Sequence, residues 1–373
     1  MRYYLIAGEA SGDLLGADLM AGLRRLDPNA SFVGLGDAMM EAQGLFSLFD
    51  ISELSVMGIA EIAPKYFSLK RRISQTADDI LAQSVDVLIT IDSPDFCLRV
   101  AKILRAKRSD LPILHYVAPS VWAWRPKRAV KMARLVDHVL ALLPFEPSLM
   151  QAVGLSCDFV GHPVVARPLG LSQKGDDPII LVLPGSRRGE IARLTPVMGS
   201  SLELILPHHP KLRVLLPSLP HLVDQLRYLV KDWPIAPKII TDLPGKADAF
   251  ASASVAIAAS GTVSLELAAN RVPMVVAYDM HPITLWLMTR MALIDTVTLV
   301  NLVSETRLVP EFIGRNCRAE LIAPAVLAQL ADPTAQLEAM DFTMARLGKG
   351  GIAPGVRAAR SVWNFLEKRT LLR

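Results

Sequence analysis

Two arginines stand at the foot of an apolar run in LPGSRRGEI (183–191). Leu183 ends the run, Pro184-Gly185-Ser186 turns the chain, and Arg187 and Arg188 enter a segment of helical pattern. Unpaired N–H groups at a helix start attract an anion, and a guanidinium can grip a phosphate through two parallel hydrogen bonds. A turn of the same make occurs in VAIAASGTVSLELAA (255–269). There Ser260, Gly261 and Thr262 can cap a helix or hold an oxygen. Glu266, one turn further in, suits the paired hydroxyls of a ribose, although a Ser/Thr cap with a first-turn Glu is also ordinary helix-start grammar. Two phosphate-competent turns in one half of the chain fit a nucleotide diphosphate, and a nucleotide-sugar better than a dinucleotide.

The other half offers acid–base and stacking chemistry. In IDSPDF (91–96), Asp92 falls at the C-terminal end of a strand, where a carboxylate can take the proton from a sugar hydroxyl. A structural aspartate bonded to loop backbone accounts for it equally well, and Asp95 is placed to cap the helix that follows. HYVAPSVWAWRPKR (115–128) crowds Trp122, Trp124, Arg125, Lys127 and Arg128 into one loop. Aromatic faces stack on sugars and acyl chains and the cations can meet a phosphate; tryptophans that plug a core are the alternative. The chain lacks a D-x-D motif, and its Cys and His residues lack metal-ligand spacing, so no metal or other cofactor is expected.

These residues need elements to hold them. Near-continuous Val/Ile/Leu runs lie at 3–7, 31–36, 86–92, 112–117, 138–144 and 158–161, and again at 179–185, 211–217, 238–241, 255–259 and 273–278. Helical patterns such as 14–26, 97–108 and 129–135 separate them. This alternation predicts α/β architecture with parallel sheets covered on both faces. The Gly/Pro/Asp-rich stretch 167–178 reads as a linker between two doubly wound, Rossmann-like domains, with ligand at the strand C-termini facing a cleft. The expected boundaries are 1–168, 169–345 and a C-terminal segment 346–373, whose spacing of Val356, Ala359, Trp363 and Leu366 predicts a helix docked on the first domain. The opening GEASGD (8–13) ends the first strand as a Rossmann domain would, yet it matches neither G-x-G-x-x-G nor G-x-x-x-x-G-K-[ST].

Composition bounds the rest. The 373 residues are 51% apolar and 20% charged, globular and without disordered bias. No run reaches 18 apolar residues, and Glu9 and Asp13 come too early for a secretory signal. Three widely spaced cysteines suggest reduced thiols in a cytoplasmic setting. Charge is uneven: residues 65–134 hold 14 Lys/Arg against 6 Asp/Glu. A basic nucleic-acid binder is one reading of that bias, but no RRM, KH or helix-turn-helix signature appears and aromatics are only 6%.

Taken together, GEASGD, SVMGIAE (55–61), IDSPDF, APSVWAWR, LPFE (143–146), FVGHP (159–163), LPGSRRGEI, SGTVSLE and LVNLV (299–303) resemble the lipid-A-disaccharide synthase family, in the family's order and over nearly the whole chain. The resemblance implies an inverting, metal-independent glycosyltransferase of GT-B architecture. Its donor would be UDP-2,3-diacylglucosamine, its acceptor 2,3-diacylglucosamine 1-phosphate (lipid X), and its products the β-1,6 disaccharide 1-phosphate and UDP. Another UDP-sugar enzyme of this architecture, a UDP-N-acetylglucosamine 2-epimerase or a peptidoglycan glycosyltransferase, is the alternative. By position, the resemblance makes Asp92 the base and Arg187 the diphosphate contact; it puts Glu266 and Asn301 on the donor side with Gly185, Ser186, Ser260, Gly261 and Thr262. Glu9, Ser11, Asp13, Trp122, Trp124 and Arg125 fall on the acceptor side. Acylated substrates direct attention to residues 51–73, where apolar Val56, Met57, Phe67 and Leu69 precede Lys70, Arg71 and Arg72, the make-up of an interfacial anchor on anionic lipid at the inner face of the cytoplasmic membrane. Pro64 predicts two short helices in that stretch. The sequence leaves a homodimer open and implies no nucleic-acid partner.

Overall fold

The computed structural model describes residues 1–54, 59–171, 175–259 and 261–371. It forms two compact units, Met1–Pro163 together with Gly350–Arg373, and Val164–Lys349. In unit 1, β1 (Arg2–Ala7), β2 (Ser31–Leu35), β3 (Val87–Ile91), β4 (Ile113–Tyr116), β5 (His138–Ala141) and β6 (Ser156–Phe159) pair in the order β2-β1-β3-β4-β5-β6. Every pairing is parallel, with Tyr3 opposite Val87 and Ala7 opposite Ile91. Successive side chains leave a strand on opposite faces. Thus Tyr3 and Leu5 pack with Leu19, Met20 and Leu23 of α1 (Ala10–Leu26). Tyr4 and Ile6 share the other layer with α3 (Ile59–Ala82) and α4 (Pro94–Lys107) through Ile73, Ile80, Val100 and Leu104. The unit also holds α2 (Ala38–Ala42), α5 (Lys127–Met132) and α6 (Glu146–Gln151).

Unit 2 repeats the plan. Its strands β7 (Ile179–Leu183), β8 (Arg213–Pro217), β9 (Lys238–Ile240), β10 (Val255–Ala258), β11 (Met274–Tyr278) and β12 (Glu311–Ile313) run parallel in the order β12-β11-β10-β7-β8-β9. One face is covered by α7 (Arg188–Ile205) and α13 (Ala319–Ala331), whose Leu194, Met198, Leu202, Ile322 and Val326 bury against β7 and β10. The remaining helices are α8 (Val223–Leu229), α9 (Leu243–Ser252), α10 (Val263–Ala269), α11 (Pro282–Met291), α12 (Leu299–Ser304) and α14 (Thr334–Arg346).

The last helix, α15 (Pro354–Leu371), packs in unit 1 against α1. The two backbones meet at a pair of glycines. A Cβ on Gly22 would stand 2.8 Å from the Gly355 carbonyl oxygen and from the Ala359 Cβ. Around that contact Ser361 donates to Asp158 at 2.6 Å and lies 2.9 Å from the His138 ring, on which Phe365 stacks.

Two local expectations change. The three-residue β12 is too short to leave a periodic signal. And α3 is one 24-residue helix that runs through Pro64 rather than two pieces. A proline in a helix interior costs about 3 kcal/mol. It falls here in the second turn, and the buried stripe of Ile73, Ala77 and Ile80 downstream offsets the loss.

Gly22→Val forces the α1–α15 backbones apart and should destabilise unit 1 by about 1–3 kcal/mol, as overpacking does. Urea denaturation followed by circular dichroism checks it; an unchanged first transition would show that the contact does not hold α15.

Candidate active site

In unit 2 a cavity of about 400 Å³ opens at the C-terminal ends of β7, β8 and β10. Gly185, Ser186, Arg187, Gly261, Thr262 and Glu266, picked out along the sequence on two separate turns, all line it. Gly185 (φ 105°) and Gly261 (φ 125°) take backbone conformations that side chains resist, which is why both turns carry glycine. Arg187 precedes the first turn of the 18-residue α7 and its guanidinium donates to Glu190 at 2.8 Å. Tyr278 donates to the same Glu190 carboxylate at 3.3 Å, and burial first, then that charge, pushes the Tyr278 hydroxyl above its ordinary value. Arg188 begins α7 but is not among the lining residues.

Glu266 accepts from Arg167 and from Lys246, each at 2.8 Å. Two cations converge on one carboxylate at the rim, a charge-assisted clamp that fixes it without removing all its acceptor sites. Neither cation was apparent in the sequence: Lys246 sits in the first turn of α9 and Arg167 in the stretch read as linker, and only the fold brings them to Glu266. Ser260 lies outside the described residues. Asn301 is 1% exposed and not among the residues lining the cavity. Its amide donates to the Val309 carbonyl and accepts from the Val309 N–H, both at 2.9 Å, so it ties α12 to the lead-in of β12.

In unit 1 the turn after β3 is strained. Asp92 (φ 53°) and Ser93 (φ 42°) both lie in the left-handed region, a conformation that costs about 1–3 kcal/mol for each non-glycine residue. The Asp92 N–H is tied to the Tyr116 carbonyl at 2.9 Å, and its carboxylate accepts the Ser93 N–H at 2.9 Å. Burial raises the Asp92 carboxyl above its ordinary value of 3.8, against the lowering effect of that hydrogen bond. Val117 (φ 81°) after β4 and Arg125 (φ 52°) in the tryptophan loop are strained as well. Strain of this kind clusters where function demands it.

The opening stretch now finds its use. A Cβ on Gly8 would lie 2.4 Å from the Ser93 hydroxyl oxygen, so glycine there lets the β1–α1 turn close on the Asp92–Ser93 turn. Glu9, the N-cap residue of α1, is half-buried and Ser11 is exposed. Asp13 is 2% exposed and accepts from the N–H groups of Asp37 (2.7 Å), Met39 (2.9 Å) and Met40 (3.2 Å). Its carboxylate ties α1 to the start of α2.

The tryptophan loop is braced by Glu146, the last residue of LPFE, for which no role was legible in sequence. Glu146 is 3% exposed and accepts from Trp122 Nε1 (3.1 Å), the Leu142 N–H (3.1 Å) and the Leu143 N–H (2.9 Å). Burial pushes its carboxyl up to about 7, although all three donors favour the charged form. Trp122 meets Phe145 edge-on, and the Arg125 guanidinium stacks on Trp124 at 4.1 Å. Arg128 is taken by Asp95 at 2.7 Å, so Asp95 is an ion-pair partner as well as a first-turn residue of α4.

Of the residues considered for lipid contact, Val56 and Met57 lie outside those described. On α3, Phe67 is 80% exposed, Lys70 and Arg71 are exposed and Leu69 is half-buried. The Arg72 guanidinium bonds Glu53 and Gln75 and lies over Phe49. No helix among the described residues is long and apolar enough to cross a membrane.

Comparison with known proteins gives these features a setting. The sequence model of the family described as lipid-A-disaccharide synthetase matches residues 3–351. The lipid-A-disaccharide synthase of Ruegeria pomeroyi is 54% identical, over 98% of this chain and 96% of that protein. That of Rhodospirillum centenum is 43% identical, over 99% and 95%. Among solved structures, the UDP-GlcNAc 2-epimerase of Neisseria meningitidis bound to UDP-GlcNAc aligns with a TM-score of 0.66 at 12% identity, covering 99% of this chain and 100% of that one. The calicheamicin glycosyltransferase aligns at 0.62 and 16%, covering 98% of each. At such identities the likeness is one of fold, the two Rossmann-like units of GT-B enzymes, and does not choose between epimerase and transferase.

The Glu146 carboxyl gives a testable pH dependence. Its folded value of about 7 exceeds the ordinary 4.5, so between these the native chain holds a proton that the unfolded chain has released. The stability it contributes is complete below the unfolded value and is lost as pH rises through the folded one. The urea midpoint of the unit-1 transition should therefore fall from pH 5 to pH 8 more steeply in the wild type than in Glu146→Gln. Parallel curves would place the titration elsewhere.

Proposed function

The chain belongs to the lipid-A-disaccharide synthetase family, and on that premise we propose that it transfers 2,3-diacylglucosamine from UDP-2,3-diacylglucosamine to the 6-hydroxyl of 2,3-diacylglucosamine 1-phosphate, with inversion. As a member of that family it is a glycosyltransferase of lipid A synthesis. The observation that carries the detailed reading is the unit-2 cavity, which gathers a diphosphate-sized cationic turn and a clamped carboxylate within about 400 Å³.

In this reading the diphosphate lies at Gly185–Arg187, where the start of α7 and the Arg187 guanidinium neutralise the charge that grows on departing UDP. Glu266, oriented by Arg167 and Lys246, accepts the ribose hydroxyls. Asp92 takes the proton of the acceptor hydroxyl as its oxygen attacks the anomeric carbon, in one displacement. The raised Asp92 carboxyl makes it a stronger proton acceptor than an exposed aspartate, provided it is ionised. Glu9 and Ser11, held beside the Asp92 turn by Gly8, and the Trp122–Arg125 loop form the acceptor side. The exposed Phe67, Lys70 and Arg71 of α3, with half-buried Leu69, carry the protein on the anionic inner face of the cytoplasmic membrane, where both acylated substrates reside.

Purified protein incubated with both substrates should yield disaccharide and UDP; no product would sink the reading. Asp92→Asn should keep UDP affinity and lose about 10²–10⁴ in kcat, with the acid limb of the wild-type profile lying above the ordinary aspartate range. Arg187→Ala should instead weaken UDP binding and lower kcat/KM about tenfold or more. Near-wild-type turnover in either variant removes that residue from the mechanism.

Replacing Phe67 and Leu69 by Ser and Lys70 and Arg71 by Glu should abolish sedimentation with phosphatidylglycerol vesicles while UDP binding persists. Retained sedimentation would put the anchor elsewhere.

A further inference from the structure

A second cavity, this one in unit 1 and of about 590 Å³, adjoins the acceptor-side tryptophan loop through Arg125. Arg99 and Lys102 of α4 and Lys127, Arg128 and Lys131 of α5 line it, with Arg125 leading into α5. Asp95 is the single carboxylate among its lining residues, and Arg128 takes it. Five further cations therefore line one concavity with no second carboxylate among its lining residues. Arg99 and Lys102 are three apart on one helix, and Lys127 and Lys131 four apart on the other, spacings at which like charges repel. All five are exposed, so water screens most of that repulsion, and an anion bound among them would relieve the rest. Leu98 and Leu135 add apolar wall, which lowers the local dielectric and strengthens any ion pair formed there.

Position narrows the anion. Pro94 and Asp95, the first turn of α4, line the cavity and follow directly on the strained Asp92–Ser93 turn. The cavity thus begins two residues from the group that takes the acceptor proton. On a hexose 1-phosphate, the 6-hydroxymethyl group and the phosphate are attached to the two carbons that flank the ring oxygen. A sugar whose 6-hydroxyl meets Asp92 has its phosphate one ring-width away. A phosphate monoester carries close to two charges at neutral pH, more than a phospholipid diester, and suits a concavity with this many donors.

We infer that the α4–α5 cavity seats the phosphate monoester of the acylated sugar acceptor and so selects phosphorylated over unphosphorylated acceptors. This rests on the acceptor reading given above.

The test uses the full chain in detergent micelles with 2,3-diacylglucosamine 1-phosphate and its dephosphorylated counterpart, and reads dissociation constants as well as KM. The triple variant Lys102→Gln, Lys127→Gln, Lys131→Gln should bind the phosphorylated lipid about tenfold or more weakly. Its affinity for the dephosphorylated lipid and for UDP should stay as in the wild type. The triple Lys→Arg variant at the same positions should retain the wild-type preference, and added salt should erode that preference only where the cations are present. Undiminished preference for the phosphorylated lipid in the Gln variant overturns the proposal. So does loss of sedimentation with phosphatidylglycerol vesicles at unchanged preference, which would make the cavity a membrane contact. Because binding is read without turnover, a wild type that binds the phosphorylated lipid selectively yet makes no disaccharide overturns the reaction assignment and supports the cavity.

Discussion

A parallel strand buried on both faces can satisfy its N–H and C=O groups only through its lateral neighbours, which leaves chemistry no place along its length. In both units that constraint sends the functional groups to the loops that leave the strand C-termini. Asp92 follows β3, the tryptophan loop follows β4, and Glu146 follows β5. Gly185–Arg187 follow β7, and Gly261 and Thr262 follow β10. The helices entered from these loops then present their N-terminal N–H groups at the same edge. Placement of the site is thus a by-product of how the sheets satisfy their own backbone.

The two units solve the turn problem differently. Unit 2 puts glycine where the backbone must reverse, at Gly185 and Gly261, which leaves bare N–H groups suited to an anion. Unit 1 keeps side chains at the corresponding corner, so Asp92, Ser93 and Val117 carry the left-handed strain themselves. The surroundings then fix the strained geometry: the Tyr116 carbonyl holds the Asp92 N–H, and the missing Gly8 side chain admits Ser93.

Much of this was legible from the chain, because strand runs and strand–turn–helix grammar are local. All eleven runs read from the sequence overlap strands, and the two Gly-containing turns of unit 2 line one cavity. What escaped depends on partners distant in sequence. Asp13 and Asn301 stand in recognisable motifs, yet only the fold shows that their side chains tie backbone 24 to 27 and 8 residues away. Arg72 reads as part of a basic run until Glu53 claims it. Conversely Lys246 carries no local mark and Glu146, though it ends LPFE, shows no role there, since nothing in a sequence window says that a glutamate will be buried beneath an indole or a lysine brought to another helix's carboxylate.

The return of α15 to unit 1 has a consequence for how the protein is made. Unit 2 is one continuous stretch, complete once residue 349 has been synthesised. Unit 1 is not, since Leu19, Met20 and Leu23 bury against Ala358, Ala359, Val362 and Leu366. The half translated first is therefore the half finished last, waiting with an open apolar stripe while its neighbour folds. Joining segments so far apart adds little to the equilibrium cost, because loop closure grows only logarithmically with length, but it slows the final docking step. During that interval the nascent chain is a natural client for chaperones, and a ribosome that stops short of the last helix releases a sound second unit attached to an unsealed first one.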